Sequence, residues 1–320
     1  VKYHIRNAVI AIIFTGIVLA SAKRMPMPFA GNDLHSFSAE AELAASQSNP
    51  LYKEIQEKSS KLAEAPQDAY IDRVWKKTPG RNGVQVDIEK SYEKMRKAGT
   101  YDESLLVLKE TPPAVQLGDL PPSPIYRGHP EKQMVSFLIN VSWGTEYIPN
   151  ILKALKEEHV KASFFIEGQW AKKHADYVKM IYEEGHLIGN HAYSHPDMKR
   201  LSSEAQRKQI AETNTILQAI TGEKPAWFAP PSGSFNELTV KAAAGEDMQT
   251  ILWTVDTIDW RNPSVSVMLN RVSGKLHPGA TILMHPTKAV SEGMPAMIKD
   301  IKAKGYKLNT VERLMNEKRE

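Results

Sequence analysis

From about Glu131 onward, short apolar runs alternate with amphipathic stretches. Residues 134–141 form a nearly continuous apolar run that predicts a strand. Ile148, Ile151, Leu152 and Leu155 follow at the i, i+3, i+4, i+7 spacing of a helix buried along one stripe. Residues 162–166 predict a second strand, 170–184 a helix closed by Gly185, and Leu187-Ile188 a third strand. Ser203-Glu-Ala-Gln206 reads as a capping box opening a helix that ends at Gly222. Trp227-Phe228 and the stretches 250–255, 281–284 and 306–308 predict the remaining strands, with helices between them. Strands separated by helices point to a parallel α/β architecture. With no glycine-rich phosphate loop, a barrel is favoured over an open nucleotide-binding sheet.

The pattern before residue 131 is different. Lys2, His4 and Arg6 precede an apolar stretch that ends Ala20-Ser21-Ala22, so residues 1–22 are expected to be a secretory signal. The run is shorter than the ~20 residues of a comfortable span, and an uncleaved membrane anchor is the alternative. Either way the rest of the chain is expected outside the cytoplasm, secreted or held at the outer face of the membrane or wall. Residues 23–68 are polar with helical stretches such as the one carrying Leu51, Ile55 and Leu62, and read as a stalk. In 69–111, a turn at Thr78-Pro-Gly-Arg-Asn-Gly83, a strand pattern at 84–88, a helical run at 89–97 and a strand at 104–109 predict a small α+β module. Its Pro-Gly-x-Asn-Gly-x-x-Val-Asp-x-Glu pattern resembles a peptidoglycan-binding module of secreted wall proteins; a spacer domain is the alternative. Residues 112–130, with Thr111-Pro-Pro113 and Leu120-Pro-Pro-Ser-Pro124, form a stiff linker to a domain spanning 131–318.

Composition narrows the chemistry. The chain has no cysteine, which excludes disulfides, thiolate ligands and cysteine nucleophiles. Its net charge of +4 is small for 320 residues and is not gathered into a basic stripe, so nucleic acid is not an expected partner. The polar residues that could do chemistry, Ser142, His191, Ser232, Asp259 and His285, each lie shortly after a predicted strand. In a βα barrel those strand ends meet at one rim, where active sites lie. His191 and His195, bracketed by Asn190 and Pro196, read as a metal pair in preference to packing histidines.

Residues 131–318 resemble the polysaccharide deacetylases of carbohydrate esterase family 4. The resemblance rests on His191-x-x-x-His195-Pro196, Phe228-Ala-Pro-Pro-Ser-Gly233, Asp256-Thr-Ile-Asp259-Trp260 and Leu283-Met-His285. The Asn140-Val-Ser-Trp-Gly144 segment and the long amino-terminal region are closer to the YlxY-like branch, known from spore-forming bacteria. The resemblance implies a distorted (β/α)7 barrel that removes N-acetyl groups from peptidoglycan or chitin-like glycan. It also implies a divalent metal, usually Zn2+, held by two histidines and an aspartate. By motif, His191 and His195 stand at the imidazole ligands, His285 at the general acid and Asp259 at its orienting partner. Trp260 stands at the apolar wall, and the Ser232 N–H at the oxyanion donor.

The other half departs from the pattern. Where the family reads Thr-Phe-Asp-Asp-Gly, Ser142 stands at the base and Trp143 at the metal carboxylate, and Ala229 replaces the arginine that orients the base. Two imidazoles alone imply that zinc is weakly held or absent, unless Glu146 or Asp197 swings in. Ser142 reads as a small residue left in place of a carboxylate, in preference to a nucleophile driven by His285 and Asp259. Trp143 either stacks on a sugar ring or plugs the vacated metal pocket, with the plug favoured. The expected function is a family member on cell-wall glycan whose N-deacetylation is weak, altered or lost; the alternative is a non-catalytic glycan-binding protein. Glycan is the expected partner, with a membrane tether if the leader is retained.

Overall fold

The computed structural model describes residues 46–319. The signal or anchor expected at 1–22 and the first part of the stalk lie outside the described residues. Among the described residues no helix is long and apolar enough to cross a membrane.

The chain folds as two compact units, one made of 46–61 with 86–107 and the other of 62–85 with everything from 108 onward. In the first, α1 (Pro50–Ser59) begins where Asn49 accepts the Leu51 N–H at 2.9 Å. α2 (Ile88–Met95) begins the same way at Asp87, which accepts from Lys90. Leu51 and Ile55, one helical turn apart, pack with Val86 and Met95 into a small core. The strand expected over 104–109 starts later. Asp102 accepts the Ser104 N–H at 2.9 Å and nucleates a 3-10 turn at Glu103–Leu105 instead.

The second unit opens with a hairpin of β1 (Tyr70–Asp72) and β2 (Lys76–Thr78), and a two-stranded sheet of β3 (Gly83–Val86) and β4 (Leu108–Thr111). Then come β5 (Met134–Val141), β6 (Ser163–Ile166), β7 (Leu187–Asn190), β8 (Trp227–Phe228), β9 (Gln249–Thr250), β10 (Val255–Asp256), β11 (Thr281–Met284) and β12 (Lys307–Leu308). They form a parallel sheet in the order β10-β11-β5-β6-β7-β8-β9, with β12 pairing the first residues of β5. The sheet curls as a distorted barrel with helices outside, the architecture expected from the alternating pattern. α3 (Ile148–Glu157) buries all four residues of its predicted stripe.

Side-chain alternation explains why the strands read as unbroken apolar runs. Met134, Leu138, Phe165, Trp227, Ala229 and Ile251 share one buried cluster inside the barrel. Val135, Phe137, Ile139, Val141, Phe164, Ile166, Ile282 and Met284 share another, packed under the helices. Both faces are therefore apolar.

Two predicted elements divide. The helix expected over 170–184 is α4 (Gly168–Lys173) followed by α5 (Ala175–Glu183), because His174 leaves helical geometry at φ −134° and packs its ring 4.8 Å from that of Trp170. The strand expected over 250–255 is β9 and β10, which do not pair with each other. Between them Ile125 inserts, donating to Thr250 O at 2.9 Å and accepting from Leu252 N at 2.8 Å. α6 (Ser203–Thr221) is capped one residue earlier than the sequence suggests, by Ser202 accepting from Ala205.

Two buried histidines outside the rim give a pH signature. His186 Nδ1 accepts the Ala162 N–H at 3.1 Å and His129 Nδ1 accepts the Glu131 N–H at 3.2 Å; burial pushes each down to about 4. An unfolded histidine titrates near 6.5, so the unfolded chain takes up protons first as pH falls. Their contribution to stability is therefore complete above about pH 6.5 and is lost as pH falls toward 4. Thermal unfolding should show Tm dropping across that window. His186→Gln, which keeps an acceptor for Ala162, should flatten part of the drop; an unchanged slope would contradict the assignment.

Candidate active site

Five strand ends build the rim. On β5, Asn140 and Ser142 continue the inward face used by Met134 and Leu138. Asn140 Oδ1 and Ser142 Oγ are buried without a hydrogen-bond partner. The chain then turns sharply: Gly144 has φ +77°, and a Cβ there would fall on the carbonyl oxygen of Pro286. Only glycine permits this approach, which brings the end of β5 beside the end of β11. As a result Trp143 stacks on the His285 ring, with centroids 5.9 Å apart and planes inclined by 12°. Trp143 is 46% exposed and lies across the imidazole.

At the end of β7 a buried amide sets the loop. Asn190 Nδ2 donates to Ile210 O at 2.9 Å and Asn214 Oδ1 at 2.8 Å, while its Oδ1 accepts from Ala192 N at 2.8 Å. Ala192 and His195 both take left-handed conformations, φ +61° and +54°, so the loop doubles back and the His191 and His195 rings meet edge to face at 5.1 Å. His191 Nδ1 lies 2.7 Å from Ala229 O. A carbonyl can only accept, so Nδ1 carries the hydrogen and the Nε2 lone pair is free. Burial, with His195 and His285 nearby, pushes His191 down to about 3, and the ring is neutral at physiological pH.

Across the rim, Asp259 is fully buried at the turn after β10. It accepts from His285 N at 3.1 Å, from His285 Nδ1 at 3.1 Å and from Thr257 Oγ1 at 2.6 Å. The pair fixes His285 with Nε2 left for a partner in the mouth. Trp260, 49% exposed, follows Asp259 in the turn after β10, where the Arg261 guanidinium lies 4.7 Å from the centre of its ring. Ser232 sits beyond β8 in a left-handed turn, φ +52°. The structure brings Trp143 against His285, His285 against Asp259 and His191 against His195, while Ser142, Ser232 and Trp260 follow β5, β8 and β10.

Among the described residues no three His, Cys, Asp or Glu side chains gather closely enough to hold a metal ion. Asp197 is engaged by the Ser234 hydroxyl and by Arg200 Nε at 3.0 Å. Glu146 is exposed. Glu167, buried at the end of β6, has its carboxyl raised by that burial and does not join the imidazoles.

Residues 127–251 match the polysaccharide deacetylase family profile. Over 307 residues, 96% of each chain, the sequence is 44% identical to the uncharacterized protein YlxY of Bacillus subtilis. The chain belongs to the polysaccharide deacetylase family. A carbohydrate esterase family 4 pseudoenzyme from Bacillus anthracis superposes with a TM-score of 0.80 at 51% identity, covering 84% of this chain and 96% of that one. A mutant of that protein with restored enzymatic activity superposes with a TM-score of 0.80 at 50% identity, over 84% and 99%. The peptidoglycan-N-acetylglucosamine deacetylase of Bacillus cereus is 37% identical over 171 residues, 52% of this chain and 62% of that protein.

Membership in this polysaccharide deacetylase family implies a divalent metal at the paired imidazoles. Its donors here would be the two histidines that meet at 5.1 Å; the indole at the next position after Ser142 supplies no lone pair for coordination. Without a carboxylate this set does not fit a resident zinc ion. Sequence reasoning quoted Asn190 and Gly144 within motifs but gave neither the structural role it has here. The signals were an amide closing the short strand β7, and a glycine directly after the Ser-Trp pair.

Proposed function

We propose that this chain engages cell-wall glycan, peptidoglycan or a chitin-like polymer, through the barrel mouth outside the cytoplasm, and that N-deacetylation there is lost or reduced to a trace. The end of β5 carries the reading. A serine and an exposed indole occupy the two positions where the family has its base and its metal carboxylate, and Ala229 stands at the arginine that would orient the base. The proton-donating half, His285 backed by Asp259, keeps its geometry. Losing a general base alone costs ~10²–10⁴ in rate. The other losses belong to the same catalytic unit and cannot simply be multiplied in. The Bacillus anthracis relative is a pseudoenzyme, and a mutant of it has restored enzymatic activity; both support a depleted rather than a dismantled site.

In this reading His191 and His195 hold zinc weakly or not at all. Trp143, exposed and stacked on His285, and Trp260, exposed next to Asp259, offer indole surface against which the C–H face of a sugar can pack. The test has two arms. Purified protein should release negligible acetate from N-acetylglucosamine oligomers or peptidoglycan, with zinc well below stoichiometric. It should nonetheless sediment with isolated walls in the presence of chelator, and Trp143→Ala should weaken that sedimentation by roughly ten-fold, the loss of one aromatic contact of ~1 kcal/mol or slightly more. Rapid acetate release that vanishes in His285→Ala would instead establish a working deacetylase. Wall binding abolished by chelator would overturn the metal-independent reading.

A further inference from the structure

We propose a second ligand site at the opposite rim of the barrel, built to take a sugar that carries a phosphate or carboxylate. Arg127 and Pro130 precede β5, Thr254 precedes β10 and Pro278 precedes β11. In a parallel sheet these positions lie at the amino-terminal strand ends, away from His191 and His285. Together with Trp75, from the turn between β1 and β2, they surround a cavity of about 460 Å³ that also takes in Lys275 and His277.

Its charge is one-sided. Arg127 and Lys275 are cationic, no carboxylate lines the cavity, and neither cation forms an ion pair among the described residues. The carboxylate that acts on Arg127 from nearby, Asp72, is already committed to the N–H groups of Val74 and Trp75 at 2.6 and 2.7 Å. Arg127 is held in place: its guanidinium lies 5.1 Å from the centre of the Trp75 ring, and Tyr126 braces that indole edge-on at 6.3 Å. Its Nε is buried with no hydrogen-bond partner, and an orphaned charged donor is costly unless something accepts from it.

The neighbouring imidazole is a wall rather than a ligand. His277 Nδ1 meets Pro278 O at 2.8 Å and Nε2 meets Thr254 Oγ1 at 3.0 Å, so both nitrogens are used. A planar guanidinium fixed over an indole, with an ammonium on the facing helix end, fits an oxyanion. The cavity is far larger than a bare oxyanion needs. The surplus space, bounded by an indole and two prolines, fits a hexose-sized skeleton.

Titration calorimetry of the full chain tests this with glucose 6-phosphate and glucuronate as probes, against glucose and inorganic phosphate. At least one anionic sugar should bind saturably, more weakly as salt is raised, and about ten-fold more weakly in Arg127→Gln. Lys275→Gln, at an exposed helix end, should weaken it without changing Tm. Trp143→Ala should leave it unchanged, which separates this site from the barrel mouth. Absence of saturable binding by both anionic sugars overturns the proposal, as does glucose or inorganic phosphate binding as tightly, or indifference to both Arg127→Gln and Lys275→Gln.

Discussion

The combined substitution Ser142→Asp, Trp143→Asp and Ala229→Arg is expected to raise acetate release from N-acetylglucosamine oligomers by at least ~10²–10⁴ over the parent when Zn2+ is supplied. The reason is geometric. The parts that are hard to reinstall, a buried Asp259 bonded to His285 and a neutral His191 with its Nε2 lone pair free, are in place. Ser142 Oγ is buried without a partner, so its replacement displaces no existing bond. Ala229 is 2% exposed, and Ala229→Arg alone should destabilise by several kcal/mol, the cost of an uncompensated buried charge. Adding Ser142→Asp should recover most of that loss, because the introduced carboxylate and guanidinium neutralise each other. A double-mutant cycle on Tm measures the coupling, and His285→Ala in the triple background should abolish the new activity. A triple variant that folds, binds zinc and still releases no acetate would show that the mouth differs from an active relative in more than these three positions.

Gly144→Ala should be among the most damaging single-methyl changes in the barrel. The residue sits at φ +77° with Pro286 O where a Cβ would go. A left-handed alanine costs ~1–2 kcal/mol, and overpacking against fixed backbone adds ~1–3 kcal/mol. The sum, ~2–5 kcal/mol, predicts a fall in Tm of roughly 4–20 °C. Because the same contact sets Trp143 against His285, wall binding should weaken alongside stability. Gly118→Ala is the control: nothing lies within 4 Å of its Cβ position and its φ is ordinary, so it should be neutral or slightly stabilising. Equal effects of the two substitutions would remove the close approach as an explanation.

The sequence carried the strand ends well. Residues 134–141 and 281–284 are mostly apolar because both faces of a parallel strand are buried, and that signal survives without any knowledge of partners. It carried the boundaries less well. Nothing local shows that His174 interrupts a helix by packing on Trp170, or that Ile125, from well upstream, pairs with the chain after Thr250 and separates β9 from β10. Those outcomes belong to long-range contacts, which local periodicity does not encode.

For the site the division is similar. Which residue types remain and which carboxylates are gone follow from the order of residues alone: Ser142-Trp143, Ala229, His191, His195, Asp259, His285. Their convergence followed too, because every βα unit of one hand delivers its strand end to the same rim. What only the tertiary structure decided is orientation. Gly144 meeting Pro286 lays the Trp143 indole, half exposed, across His285, Ala229 O fixes the tautomer of His191, and Asp197 is engaged by Ser234 and Arg200. Each of these depends on a neighbour remote in sequence, and on a rotamer or backbone angle chosen by packing, so residue identity could name the parts but not the way they face.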